Sequence, residues 1–217
     1  MPKTMTSMRA RVRGLYAITD GPRDDLIEVC AAAVAGGATM LQYRDKTADA
    51  ARRLREATAL QHLCAGQGVD LIINDDIELA RAVGAAGVHL GEDDAQIATA
   101  RERLGAAVII GVSCYDSLDL ARQFAAAGAD YLAFGAFFAS PTKPQARRAT
   151  TQLLRDAKAL GKPLVAIGGI TPDNARDLID AGADAVAVIT ALFGAQDVRS
   201  SAADFARLFP PSSTSLR

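Results

Sequence analysis

The stretch LIINDDIELARAVGAAGVHLGEDD, residues 71–94, contains two short apolar runs that each end in acidic side chains. Leu71–Ile73 precedes the acids Asp75 and Asp76, and Val88–Leu90 precedes three consecutive acids that end at Asp94. Like charges that are brought together raise the free energy unless a cation lies between them. The pattern therefore indicates short buried strands whose ends meet at a polar site.

The same alternation of short apolar runs and Ala-rich, one-sidedly charged stretches extends along the chain. The runs are Gly14–Asp20, Thr39–Arg44, Leu71–Asp75, Val88–Gly91, Val108–Ser113, Tyr131–Ala136, Leu164–Gly169 and Ala185–Thr190. Phrases such as VGAAGV and AGADAV precede several of them, as expected where a helix ends at glycine and a strand follows. Near-continuous apolar strands separated by helices favour a parallel sheet covered by helices.

Eight such units predict a (β/α)8 TIM barrel in the α/β class. A doubly wound open sheet is the alternative, but LYAITDGPRDD stands after the first run where a GxGxxG motif would be expected. With no Pro-, Gly- or Ser-rich linker inside the chain, we expect one domain, the barrel, over residues 14–209. Residues 1–13 and 210–217 are expected to be flexible segments.

Composition excludes several classes of partner. The 217 residues include 24 basic and 25 acidic side chains, so the balance gives no electrostatic footprint for nucleic acid or an anionic membrane. Cys30, Cys64 and Cys114 stand far apart without metal-ligand spacing, which favours free thiols in a reducing cytoplasm. We expect a cytoplasmic protein without a signal peptide or membrane span, and a homo-oligomer remains open.

The ends of the predicted strands carry the candidate chemistry. In a TIM barrel the carboxyl ends of the strands line one active-site rim. Asp75 and Asp94 on neighbouring strands are therefore candidate ligands of a hard divalent cation such as Mg²⁺, which takes oxygen ligands and substrate phosphates. Lys46 and Lys143, together with Arg44, are the complementary phosphate partners.

Neighbouring acids have a simpler explanation. Asp76 is expected to cap the following helix, because aspartate is a favoured N-cap residue. Asp93 is left open between a cap and a ligand.

A second anion site is predicted at the far end of the barrel. Gly168-Gly169 ends the seventh strand, where the backbone can approach a ligand closely. Thr171-Pro172 then opens a helix, and Ile189-Thr190 ends the eighth strand. The loops after strands seven and eight often bind phosphate in this fold, although the glycine pair could also be only a tight turn. Two anion sites suggest two substrates or one long one.

The motifs LYAITD, LQYRDK, IINDD, GVHLGEDD, IIGVS, FGAFFASPTK, AIGGI and GADAVAVITAL occur in this order. In this combination the chain resembles the thiamine phosphate synthase family over about residues 14–195. The resemblance implies a Mg²⁺-dependent transferase that joins 4-amino-2-methyl-5-(diphosphooxymethyl)pyrimidine to a thiazole phosphate. The implied products are thiamine phosphate and diphosphate, and residues 14–209 would be the catalytic domain.

The resemblance also implies a set of site residues. The pyrimidine diphosphate would contact Gln42, Tyr43, Arg44, Asp45, Lys46, Asn74, Ser113 and Lys143, of which Lys46, Ser113 and Lys143 would be catalytic. Mg²⁺ would bind Asp75 and Asp94. The thiazole phosphate would contact Ser140, Pro141, Thr142, Gly169, Ile189 and Thr190. Tyr43 and Asp45 depart from the Leu and Glu of many relatives, and the shorter Asp45 puts its contact in doubt.

Two rival functions stand beside the synthase. A related thiazole tautomerase is expected to carry a histidine just after strand five, where this chain reads SCYDS. A non-catalytic sensor of phosphate ligands would have little use for a metal beside a leaving group.

Within the fourth strand, His89 is interpreted as a hydrogen-bonded barrel histidine rather than a base. Cys114 has no histidine near it in sequence, so we do not expect a thiol nucleophile.

Overall fold

The computed structural model describes residues 7–91, 93, 95–139 and 148–209. Within this part of the chain, parallel strands pair in sequence order and β1 pairs with β8, which closes a barrel. The strands are β1 Gly14–Ile18, β2 Ala38–Tyr43, β3 Asp70–Asn74, β4 Gly87–Leu90, β5 Ile109–Tyr115, β6 Tyr131–Phe134, β7 Leu164–Ile167 and β8 Ala185–Val188. The eight expected strands and the TIM-barrel class are thereby confirmed, and closure excludes the open doubly wound sheet.

Helices follow the strands and form the outer layer. They are α1 Met8–Arg11, α2 Leu26–Ala35, α3 Ala50–Gln67, α4 Ile77–Val83, α5 Ala95–Leu104, α6 Leu118–Ala126, α7 Thr151–Ala157, α8 Pro172–Ala181, α9 Thr190–Phe193 and α10 Val198–Ala206. Gly84 and Gly182 end α4 and α8 in the left-handed conformation, as the glycine phrases predicted. Among the described helices, none combines the length and apolar character needed to cross a membrane.

Strand side chains alternate between two buried clusters. Odd and even positions of a strand point to opposite faces of the sheet, so one set fills the barrel and the other packs under the helices. The barrel interior holds Val12, Tyr16, Ile18, Met40, Ile72, Ile109, Tyr131, Ala133, Val165, Ala185 and Ala187. On β2, Met40 and Gln42 point inward, whereas Leu41 and Tyr43 point toward the helices.

Helix α1 lies across the amino-terminal mouth of the barrel. Arg11 binds Asp70, the first residue of β3, through two hydrogen bonds of 2.7 and 3.0 Å. Val12 is completely buried against the barrel interior. Residues 8–13 therefore differ from the flexible segment expected over 1–13, because a buried valine and a two-bonded arginine attach them to the barrel. The expected tail at 210–217 lies outside the described residues.

Candidate active site

Two neighbouring strands deliver opposite charges to one point on the carboxyl-terminal rim. Lys46 follows β2 and Asp75 follows β3, and the Lys46 ammonium lies 2.5 Å from Oδ2 of Asp75. The Asn74 amide donates to the same carboxylate oxygen at 2.9 Å. Asp75 has a positive φ of 61°, a conformation that aspartate tolerates better than most residues. In this backbone conformation the carboxylate of Asp75 points toward Lys46.

The adjacent acid, Asp76, performs the capping role that the sequence predicted. Its carboxylate accepts from the backbone N–H of Leu79 at 2.8 Å and from Arg53 at 2.8 Å. The carboxylate of Asp76 is therefore bonded to helix α4 and to the neighbouring helix α3. The two acids at this strand exit diverge, and Asp75 alone of the pair is bonded to Lys46.

An open cleft of ≈ 810 Å³ lies beside the Lys46–Asp75 pair. Its described lining comes from the ends of β2, β3 and β4 and from the helices that follow them. Both signs of charge are present, with Lys46, Arg53 and Arg103 facing Asp75, Asp76 and Glu78. The cleft has the size of a small-molecule site. Its cations suit phosphate groups and its carboxylates suit a divalent cation.

Several expected residues lie outside the described part of the chain. They are the metal ligand Asp94, the basic residue Lys143, and Ser140, Pro141 and Thr142 of the thiazole phosphate set. Among the described residues, no three carboxylate, imidazole or thiol side chains cluster closely enough to hold a metal. Among the described residues of this rim, the half-exposed carboxylate of Asp75 is an oxygen donor that already accepts from a cationic group. That donor fits a hard cation such as Mg²⁺, which needs only one or two protein carboxylates.

Tyr43 and Asp45 contact helix α3 through their side chains. The Tyr43 hydroxyl donates to Glu56 at 2.7 Å. The Asp45 side chain is 1 % exposed and accepts from the Thr47 backbone at 2.8 Å and from Arg52 at 2.7 Å. Burial would raise the pKa of Asp45, but these hydrogen bonds hold it below its ordinary value. These contacts hold the loop that carries Lys46 against helix α3.

The backbone of Arg44 is held from the first strand. The buried hydroxyl of Thr19 accepts from the Arg44 N–H at 2.8 Å and donates to the Arg44 carbonyl at 3.1 Å. The backbone of the half-buried Arg44 is therefore fixed between β1 and the loop that carries Lys46.

A chain of hydrogen bonds crosses the barrel interior next to the rim. The Gln42 amide nitrogen lies 2.7 Å from the Tyr16 hydroxyl, which lies 2.9 Å from the Tyr131 hydroxyl. Tyr131 continues to Nδ1 of His89 at 2.9 Å, and Nε2 of His89 reaches the Ser113 hydroxyl at 2.9 Å. Two residues expected to contact the pyrimidine, Gln42 and Ser113, are thus the ends of one connected network. His89 is hydrogen-bonded on both ring nitrogens, as expected for a barrel histidine.

Burial controls the protonation of these groups. It lowers the pKa of His89 to about 4, although the Asp75 carboxylate opposes the shift, so the imidazole is neutral at pH 7. Burial also raises the pKa of the Tyr16 and Tyr131 hydroxyls. The Cys114 thiol has its pKa raised to about 12 by burial, which makes it a poor nucleophile.

Gly168 and Gly169 lie on the opposite side of the rim, after β7. Both have positive φ values, 106° and 64°, and a methyl group built on Gly169 would lie 2.7 Å from the Ala139 carbonyl oxygen. The loop after β6 packs directly on this turn, since the Phe138 N–H donates to the Gly168 carbonyl at 3.0 Å. The Asn174 side chain binds the Gly169 carbonyl and the Thr171 N–H, which anchors the start of α8 at Pro172.

The last two expected residues, Ile189 and Thr190, follow β8. Ile189 packs against the interior cluster, and Thr190 is exposed and begins the short helix α9. The structure thus brings Lys46, Asn74 and Asp75 together at one side of the rim. Ile189 and Thr190 belong to the exit of β8, and Gly169 belongs to the adjacent exit of β7.

Sequence reasoning missed Tyr16 and Tyr131, and it did not connect His89 with Ser113. One feature of the sequence could have revealed the network. Tyr16, His89, Ser113 and Tyr131 all occupy strand positions whose side chains point into the barrel. A second signal was Gly111, which is paired with Tyr131 in register and carries no side chain to compete for the interior.

The family model for thiamine monophosphate synthase matches residues 15–192 of the chain. The chain belongs to the thiamine monophosphate synthase family. A thiamine-phosphate synthase of Chromobacterium violaceum is 56% identical over 204 residues, covering 93% of this chain and 99% of the relative. Another, of Nitrosococcus oceani, is 54% identical over 209 residues and covers 94% and 95% of the two chains.

A solved structure of a related enzyme has the same fold as this member of the thiamine monophosphate synthase family. The thiamine phosphate pyrophosphorylase of Pyrococcus furiosus superposes with a TM-score of 0.83 at 35% identity. The match covers 93% of this chain and 97% of the other. The fold and the family expected from the motifs are confirmed, and the chain is a transferase of thiamine biosynthesis.

Proposed function

We propose that this chain transfers a pyrimidinylmethyl group from 4-amino-2-methyl-5-(diphosphooxymethyl)pyrimidine to the ring nitrogen of a thiazole phosphate. The C–O bond to the diphosphate breaks with its electron pair on diphosphate, and the nitrogen lone pair forms the new C–N bond. The products are thiamine phosphate and diphosphate. Membership of the family supports this reaction, and the charge arrangement at the rim suits it.

The observation that carries the proposal is the contact between Lys46 and Asp75 on adjacent strand exits. Diphosphate leaves readily only when its developing charge is neutralised, and preorganised cationic groups in a cleft are effective at this. We assign Lys46 to that task, with Lys143, which lies outside the described residues, as its expected partner. The electron-rich aminopyrimidine can bear the resulting positive charge, so no protein nucleophile is required.

Mg²⁺ would be held by Asp75, with Asp94 as the expected second carboxylate and substrate oxygens completing the shell. When bound, the ion would supply further charge neutralisation for the diphosphate. Lys46 would neutralise charge on the departing diphosphate directly. Its side chain is 57% exposed and that of Asp75 is 48% exposed, so the ammonium can turn toward a substrate in the cleft.

The remaining assignments follow the shape of the rim. Gln42, Ser113 and Asn74 would face the pyrimidine diphosphate together with Arg44. The loops after β7 and β8, with Gly169, Ile189 and Thr190, would hold the thiazole phosphate. Ser140, Pro141 and Thr142, outside the described residues, are its further expected contacts. Catalysis would then rest on positioning and electrostatics. The three buried free cysteines, Cys30, Cys64 and Cys114, suit a reducing compartment, and we place the enzyme in the cytoplasm.

An assay with both substrates and Mg²⁺ tests the proposal against its rivals. A synthase forms thiamine phosphate and diphosphate in equal amounts, and each substrate alone gives neither product. A thiazole tautomerase would only isomerise the thiazole, and a ligand sensor would turn over neither substrate. Either of those outcomes would overturn the proposed function.

A further inference from the structure

The hydrogen-bonded network inside the barrel has a direction. It runs from Gln42 on β2 through the two tyrosines and His89 to Ser113 on β5, and each link is 2.7 to 2.9 Å long. Each tyrosine hydroxyl has one proton to donate. A hydroxyl that receives a hydrogen bond from one neighbour in the network can therefore give one to the next.

The direction is set at the Gln42 end. Its amide nitrogen faces the Tyr16 hydroxyl, and an N–H group can only donate. With that bond donated, the proton of Tyr16 is available to Tyr131, and the proton of Tyr131 is available to Nδ1 of His89. The phenol ring of Tyr131 also stacks on the imidazole at 5.7 Å, which holds this geometry.

The imidazole passes the direction on. A ring nitrogen that accepts a hydrogen bond carries no proton, so acceptance at Nδ1 places the ring proton on Nε2. Nε2 therefore donates to the Ser113 hydroxyl oxygen at 2.9 Å. Ser113 accepts this hydrogen bond and keeps its own proton for another partner.

We propose that this network makes Ser113 a hydrogen-bond donor toward the site, so that the ligand atom seated there is an acceptor. The chemical class is an anionic oxygen or an unprotonated ring nitrogen, and an N–H or O–H group of the ligand is disfavoured. Tyr16, Tyr131 and His89 are positioning residues that act through Ser113. The identity of the ligand rests on the proposed function, but the direction of the network does not.

The tautomer of His89 in the ligand-free enzyme tests the direction without any activity measurement. The chain has only two histidines, and His62 is exposed on α3, so ¹⁵N-histidine NMR can separate their ring nitrogens. We expect the proton of His89 on Nε2 at pH 7. A proton on Nδ1 would mean that Ser113 donates to His89, and it would overturn the proposal.

Removing one link should change this spectrum. In Tyr131→Phe the donor to Nδ1 is lost, and we expect His89 to populate both tautomers. The matched control is Tyr43→Phe, which removes a buried hydroxyl bonded to Glu56 outside the network and should leave His89 on Nε2. An unchanged His89 tautomer in Tyr131→Phe would contradict the claim that the network sets it.

The consequence for turnover can be tested with two isosteres of His89. His89→Gln keeps an N–H group near the position of Nε2 and can still donate to Ser113. His89→Asn keeps a group only near the position of Nδ1. We expect kcat of His89→Asn to be about tenfold below that of His89→Gln, the loss that one hydrogen bond corresponds to.

Equal kcat values for the two variants would overturn the positioning role of His89. If His89→Asn does not fold, the wild-type tautomer still decides the direction. A wild type with the Nε2 tautomer but without synthase activity would reject the proposed function and leave the network proposal standing. An active wild type with the Nδ1 tautomer would do the opposite.

Discussion

The phenol ring of Tyr131 occupies the space beside Gly111 on the neighbouring strand, and a methyl group built on Gly111 would lie 1.9 Å from its Cζ atom. The two residues are paired in register between β5 and β6. Only glycine at position 111 therefore lets the Tyr131 hydroxyl reach both Tyr16 and His89. A backbone position on one strand thus determines whether the hydrogen-bonded network across the barrel can form.

Gly111→Ala should destabilise the enzyme by about 1–3 kcal/mol, because an added methyl group in a packed interior forces its neighbours to move. Denaturant unfolding of the variant measures this loss. Gly66→Ala is the matched control, since nothing lies within 4 Å of its Cβ position and the residue is in helix α3. The control should be more stable than wild type by about 0.5–1 kcal/mol. Equal stability of Gly111→Ala and wild type would show that Tyr131 moves without cost.

Asp75→Asn should abolish Mg²⁺-dependent turnover while leaving the barrel folded, because it removes the anionic charge assigned to the cation. The measurement is kcat over a range of Mg²⁺ concentrations, with circular dichroism to confirm folding. Asp76→Asn is the matched control, since asparagine can also cap α4 and Asp76 is bonded to Leu79 and Arg53 rather than to Lys46. Full activity of Asp75→Asn at low Mg²⁺ would remove the metal assignment.

Gly169→Val should raise the apparent KM for thiazole phosphate much more than the KM for the pyrimidine. A side chain there meets the Ala139 carbonyl oxygen at 2.7 Å and is strained at a φ of 64°. Both effects would displace the rim on the β7 side. Gly161→Val has a similar φ of 69° with nothing within 4 Å, so it controls for backbone strain alone. Equal effects of Gly169→Val on the two KM values would count against separate sites.

The stability of the enzyme should fall in mild acid because of His89. Burial lowers its pKa from 6.5 to about 4 in the folded state, so between these values the unfolded chain binds a proton that the folded enzyme does not. The contribution is complete above pH 6.5 and is lost as the pH falls toward 4, by about 2–3 kcal/mol. Unfolding free energies of wild type and His89→Gln over this range isolate the effect from the carboxylates. Parallel pH profiles would refute it.

Hydrophobic pattern and turn chemistry predicted most of the fold from the sequence. The strands were readable because each is an apolar run next to glycine or acid. The cap at Asp76 and the helix start at Thr171-Pro172 were readable from local rules. Helix α1 was not predicted. Its attachment depends on the contact of Arg11 with Asp70 and on the burial of Val12 in the barrel, and local sequence encodes neither of these.

The candidate site was predictable only in part. Lys46 and Asp75 could be brought together because parallel strands end on one rim. The contacts of Tyr43 and Asp45 with helix α3 could not be predicted. Their partners, Glu56 and Arg52, lie on that helix, and the strand pattern alone does not show which helix residues a strand side chain meets. The interior network escaped prediction because its members come from five strands. Only closure of the barrel brings them into contact.

The contribution of Lys46 to kcat tests the central claim, that the β2–β3 exit neutralises the departing diphosphate. With both substrates saturating and Mg²⁺ present, Lys46→Ala should lower kcat by about two to three decades, the loss typical of one preorganised charge-stabilising group. Lys46→Arg should restore part of it, and Arg81→Ala, which removes an exposed cation bonded to Glu78, should stay near wild type. A kcat for Lys46→Ala within about twofold of wild type, too small a loss for such a group, would contradict the account.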